Sequence, residues 1–254
     1  MSCMRYIVAE PADIKQASRT AMKVIGLNYK ISGDGGLKKS VLTAGEQTVM
    51  GISDEEITNP VTNAEKLCCD IFYEAKSGGY RGVLFDFESR AAWMYPFVSA
   101  LSYGLFERGL KHYVPERFHS AAPCAKLIIN AAVSGGSFAD MYGSAVQKYG
   151  KERISFELSP GRHDFIIPSY SAEGKALSQN EFDNITEKYH PSVYFSSELL
   201  AKYFTYRDST GNFHFVIFDD AATVQEKLAF FDNNRADSVF MLFSDWKRLF
   251  GEPG

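Results

Sequence analysis

Short apolar runs alternate along the chain with longer stretches in which apolar residues recur every third or fourth position. The runs read as strands and the stretches as helices, because side-chain environment repeats every second residue in a strand and about every 3.6 residues in a helix. Arg5 to Ala9 is the first expected strand, and a helix is expected over Ile14 to Met22. Lys23 to Ile31 reads as the second strand, closed by a glycine-rich turn signal from Ser32 to Gly36. Gln47 to Ile52 is the third. A helix is expected over Asn63 to Ser77, where Leu67, Ile71 and Ala75 stand four apart, and Gly78-Gly79 stops it. Gly82 to Phe87 is the fourth strand and the most apolar.

A second long helical stretch covers Trp93 to Gly109. Three further strands are expected at Lys111 to Val114, Lys126 to Ala131 and Arg153 to Leu158, then a helix over Asp219 to Asp232 and a closing strand, Ser238 to Phe243. Eight strands separated mostly by helices predict an α/β fold, a (β/α)8 TIM-type barrel. The chain has 254 residues. Such barrels typically need about 250. The stretch 166–218 does not fit a βα unit: its aromatics are scattered and it carries a turn at Asp208 to Asn212. It is expected to be a small insertion before the last strand, leaving 1–254 as one domain.

Composition narrows the picture slightly. Apolar residues make up 45% and aromatics 14%, enough for a sizeable core. The net charge of −4 argues against a nucleic-acid partner, which demands a clustered basic surface. No run approaches the ~20 apolar residues of a membrane span, so no membrane partner is expected. The N-terminus shows no signal peptide. Cys68 and Cys69 are adjacent, which suits neither a zinc knuckle nor a redox pair, and the histidines are dispersed, so no metal site is expected.

A parallel barrel works at the C-terminal ends of its strands. There the fourth strand carries Asp86 and Glu88, two apart and therefore on one side, together with Leu84. Two half-buried carboxylates side by side raise the pKa of one of them, which suits a general acid. Glu157 is an acidic residue in an otherwise apolar seventh strand and is expected in the barrel mouth. Tyr29 fits either a ligand-stacking ring or core material. Tyr113 and Glu116 sit where barrel loops bind ligands, with Glu116 the more ordinary surface charge.

The run GVLFDFE, Gly82 to Glu88, resembles the fourth-strand signature DGxxxDxE of the family 18 glycoside hydrolases, in the form found in their spore-lytic branch. HFVIFDDAATVQEKL, His214 to Leu228, is similar to that branch's stretch before the last helix. GLNYKISGDGGL, Gly26 to Leu37, is similar to its second strand and turn. The resemblance covers the start, middle and end of the chain in order and implies a divergent member.

It also implies a glycoside hydrolase acting on β-1,4-linked N-acetylglucosamine-containing glycan, from peptidoglycan or spore cortex or chitin-like. The implied mechanism is substrate-assisted and retaining, with Glu88 as general acid and Asp86 orienting the acetamido group. No cofactor is implied, the partner is an oligosaccharide or polysaccharide, and the location is cytoplasmic or spore-associated, or exported had a leader been removed. The oligomeric state is left open. This sequence departs from the pattern at Arg81, which stands where the signature has Asp. The sixth strand offers Asn130 in place of a Tyr-acid pair, and the last strand has Met241 to Phe243 where a Trp floor is usual, with Trp246 a few residues on. Those departures keep an alternative open, a catalytically impaired carbohydrate-binding barrel.

Overall fold

The computed structural model describes residues 3–40, 48–57, 59–132, 136–168 and 174–253. In chain order the barrel is built from β1 (Met4–Ala9), α1 (Ile14–Ala17), β2 (Lys23–Gly26), β3 (Tyr29–Ile31), β4 (Leu37–Lys39), β5 (Val49–Ser53), α2 (Ala64–Ser77) and β6 (Gly82–Asp86). It continues with α3 (Met94–Glu107), β7 (Lys111–Pro115), β8 (Lys126–Asn130), α4 (Phe138–Tyr149) and β9 (Ile154–Glu157). After an inserted unit the chain returns through α6 (Ala221–Asn233), β15 (Ser238–Leu242) and α7 (Phe243–Phe250).

The sheet order is β2-β1-β15-β9-β8-β7-β6-β5-β3-β4, parallel throughout except for the β3–β4 hairpin. Its two ends meet in one segment. β2 pairs with β1, the chain breaks step at Leu27-Asn28, and β3 then pairs with β5, so the expected strand Lys23 to Ile31 closes the barrel as two pieces. A Cβ on Gly51 would lie 2.6 Å from the Gly26 carbonyl oxygen, so only glycine lets β5 come this close to the break. Gln47, at the start of the expected third strand, lies outside the described residues.

Strand alternation sorts the core into an inner and an outer layer. Tyr6, Val8, Ile25, Leu27, Val49, Leu84, Tyr113 and Phe240 fill the barrel interior, with Tyr6 stacked on Phe240 at 5.3 Å. Their neighbours in sequence, such as Val83 and Phe85, point outward under α2 and α3. Each fully buried side chain of this size contributes roughly 1.5–3 kcal/mol.

The helix expected over Ile14 to Met22 stops at Ala17. Ser18 Oγ donates back to the Ile14 carbonyl at 2.8 Å and the Met22 N–H turns to Thr20 Oγ1, so hydroxyls compete with helix propagation. Two helices not anticipated from periodicity each carry a capping box: α4 begins at Ser137 with Asp140, and α5 (Gln179–Tyr189) at Ser178 with Glu181.

The inserted unit begins at Arg162, before the expected Ile166. It comprises β10 (Arg162–Ile167), β11 (Lys175–Ala176), α5, β12 (Tyr194–Ser196), β13 (Ala201–Arg207) and β14 (Phe213–Phe218), an antiparallel sheet ordered β11-β10-β14-β13-β12. One face packs Phe204 and Phe218 against Phe182 of α5. On that side His214 Nδ1 meets Asp164 at 2.9 Å, and the Tyr206 hydroxyl donates to the same carboxylate at 3.0 Å.

Candidate active site

A cavity of about 210 Å³ opens at the C-terminal ends of the barrel strands. Its floor is Leu84 and Phe240 from the inner layer, and its charged lining is Asp86, Glu88, Glu157 and Arg117. Leu84, Asp86 and Glu88 line this cavity from β6 and the residues just after it; Phe85 and Phe87 border it too but are buried in the outer core cluster.

Glu88 is exposed, one turn of pleat above the half-buried Asp86. Its place is fixed from the neighbouring strand: buried Asp54, just past β5, accepts the backbone N–H of Glu88 at 2.7 Å and of Ser89 at 3.0 Å. Both carboxylate oxygens are spent on holding the loop that carries Glu88. Asp86 is pushed up to about 7, first by burial and then by the nearby charges of Glu157, Glu88, Asp54 and Glu10. Glu157, at the end of β9, is raised too, mainly by burial, while the Ser159 hydroxyl, donating to its Oε1 at 3.1 Å, acts the other way.

Arg117 stands just beyond β7. Its Nε and Nη2 are buried with no hydrogen-bond partner among the described residues. Burial lowers its proton affinity, and nearby Arg90 does so as well, against the opposing pull of Asp54 and Glu88. A guanidinium edge left unpaired in this way costs about 1–3 kcal/mol per group.

Asp54 and Arg117 were not singled out by sequence reasoning. Asp54 had a usable signal, since it follows directly on the third strand and so meets the strand-end rule that selected Glu88. Arg117 had none, because its neighbour Glu116 carries the same surface-loop pattern and instead binds the Tyr149 hydroxyl at 2.6 Å.

Four expected ligand-binding residues stand away from the cavity lining. Tyr29 is fully buried in the outer core, its hydroxyl donating to Glu74 Oε2 at 3.0 Å, because β3 turns that face toward α2. Tyr113 points into the barrel interior near its base, with its hydroxyl 3.3 Å from Ser238 Oγ at the start of β15. Trp246 lies on α7, stacked between Phe243 and Phe250 in the outer layer, because the chain turns helical directly after Leu242. Asn130 is exposed at the end of β8 beside Glu157, and its Oδ1 already accepts the Ala132 N–H at 2.8 Å.

The barrel has counterparts of like fold among solved structures. A chitinase from Chromobacterium violaceum superposes with a TM-score of 0.61 at 14% identity, covering 94% of this chain and 93% of that one. The spore cortex-lytic enzyme SleL from Bacillus megaterium gives 0.60 at 16% identity, over 99% of this chain and 72% of that one. A GH18 chitinase from Cycas revoluta, solved in complex with (GlcNAc)3, gives 0.54 at 13%, over 94% of each. The fold is that of the family 18 chitinases. No protein-family model matches the chain, and no curated protein is similar to it by sequence. Within the family 18 fold the likeness extends through the inserted unit, since nearly the whole chain is covered in these alignments.

Proposed function

We propose that the protein is a glycoside hydrolase cutting a β-1,4 bond next to N-acetylglucosamine, in peptidoglycan, spore cortex or a chitin-like glycan. The observation that carries this reading is Glu88, an exposed carboxyl at the rim of a cavity whose next inward polar group is Asp86. Glu88 protonates the departing glycosidic oxygen. Asp86, as a carboxylate, accepts the N–H of the sugar's 2-acetamido group and turns its carbonyl oxygen onto the anomeric carbon. That oxygen forms the new bond as the glycosidic bond breaks, and water later opens the cyclic intermediate with Glu88 taking back the proton. Such substrate-assisted hydrolysis needs no protein nucleophile. The similar structures include a spore cortex-lytic enzyme and a chitinase in complex with (GlcNAc)3, which supports this choice of glycan.

Glu88→Gln keeps the side chain's shape and removes the proton donor, so turnover of N-acetylglucosamine oligomers is expected to fall by about 10²–10⁴, the usual worth of a general acid. Binding measured by calorimetry should persist. Equal turnover by wild type and variant sinks the reading. A carbohydrate-binding barrel without hydrolysis is the second reading, favoured by Leu242 in the lining at the last strand and by Asn130 on the sixth. Oligomer binding by the wild type with no reducing sugar released over long incubation selects it.

A further inference from the structure

Asp86, Glu88 and Glu157 line one cavity together with Arg117, and among the described residues none of the three carboxyls forms an ion pair. Glu157 is delivered from β9, in register with Asn130 of β8 and Phe240 of β15. The Ser159 hydroxyl donates to its carboxylate, which favours the charged form of Glu157. Asp86 has no such donor among the described side chains. Two half-buried carboxyls in one small cavity resist ionising together, and the one with the hydrogen-bond donor keeps the charge.

We propose that Glu157 is the positioning residue for Asp86: its negative charge, brought from the seventh strand, holds a proton on Asp86, and Asp86 grips the acetamido N–H only after that proton has passed to solvent. The inference rests on the hydrolase reading and gives its site a pH gate. Asp86 is faced by Glu157 from β9, by Glu88 from its own strand, by Asp54 beyond β5 and by Glu10 beyond β1. Glu157 is faced by Asp245 from α7 and by Glu88, and among the described residues the cation in the lining is Arg117. Apart from burial, Glu157 has the largest influence on Asp86, which sits at about 7.

The test is a carbon-13 carboxyl NMR titration of the whole protein, with Asp86 assigned through Asp86→Asn. Wild-type Asp86 should titrate near 7. In Glu157→Gln its midpoint should fall by about one unit, the scale of a removed neighbouring charge. Glu157→Asp keeps the charge and should restore a midpoint near the wild-type one. The acid limb of kcat/KM on an N-acetylglucosamine oligomer should move down with the NMR midpoint in Glu157→Gln, which a merely structural role would leave in place. An Asp86 midpoint unmoved by Glu157→Gln overturns the proposal, and so does a midpoint that moves while the kcat/KM profile stays still. Should the wild type release no sugar at all, the hydrolase reading fails along with the gate, and the NMR arm still reports separately whether Glu157 governs Asp86.

Discussion

Asp54→Ala removes the clamp beneath Glu88 without touching a residue of the cavity lining. The carboxylate is buried and accepts two backbone N–H groups, at 2.7 and 3.0 Å. Hydrogen bonds to a charged partner are each worth about 1.5–3 kcal/mol, so two set a range of about 3–6 kcal/mol. Glu88 is exposed and Ser89 half-exposed, so water reaches part of the freed backbone and the lower end, about 3 kcal/mol, is the expected loss. Asp54→Asn keeps one acceptor oxygen and turns an amide N–H₂ on the other backbone donor, so it should lose a comparable amount despite its shape. Stability is read as the urea midpoint at pH 7. Activity is read on the same oligomer as for Glu88→Gln, where a loop displaced by about 1 Å is expected to lower kcat/KM by about 10²-fold. A stability change within about 0.5 kcal/mol of wild type, the range of a neutral surface substitution, refutes the clamp. A large stability loss with unchanged kcat/KM refutes its link to Glu88.

Asp86→Asn should stabilise the protein at alkaline pH while ending activity. The folded value of about 7 stands above the ordinary 3.8, so below pH 4 both folded and unfolded chains hold the proton and nothing is lost. As pH rises from about 4 to about 7 the unfolded chain releases its proton first, and stability falls by up to about 4 kcal/mol, three units at 1.36 each. The variant should recover that amount at pH 8 and none of it at pH 4, read from melting temperatures; equal gains at both pH values would contradict the burial of this carboxyl. Tyr29→Phe should cost about 1 kcal/mol through the lost bond to Glu74 and leave oligomer affinity unchanged by calorimetry, whereas weakened binding would return Tyr29 to the site.

Much of the barrel was legible because its strands obey local rules. The fourth strand is a continuous apolar run leading into Asp-x-Glu; its period of two puts Leu84, Asp86 and Glu88 on one side, and the structure shows that side facing the cavity. The aromatic candidates failed where the strand-end rule was applied without height or face. Tyr29 and Tyr113 both lie on barrel strands, yet one is turned outward under α2 and the other sits near the base of the interior. Trp246 was assigned by distance along the sequence from a strand that ends at Leu242, where a helix takes over. The inserted sheet was hidden for another reason: its strands pair antiparallel across long separations, so short aromatic runs such as β12 carry no strong periodic signal of their own.

The amino-acid pattern alone determined that this chain alternates strand and helix, that one strand carries two carboxyls on one side, and that those carboxyls stand at a strand's C-terminal end. Each of these depends on residues within a few positions of one another, where backbone geometry dictates the outcome. Tertiary structure decided which charges gather around them. Asp54, Glu157 and Arg117 come from three other strand ends, 29 to 71 positions away along the numbering of the chain from Asp86 or Glu88. Only the assembled sheet brings them together around Asp86, and there lost hydration first, then the neighbouring carboxylates with Glu157 foremost, raise its proton affinity.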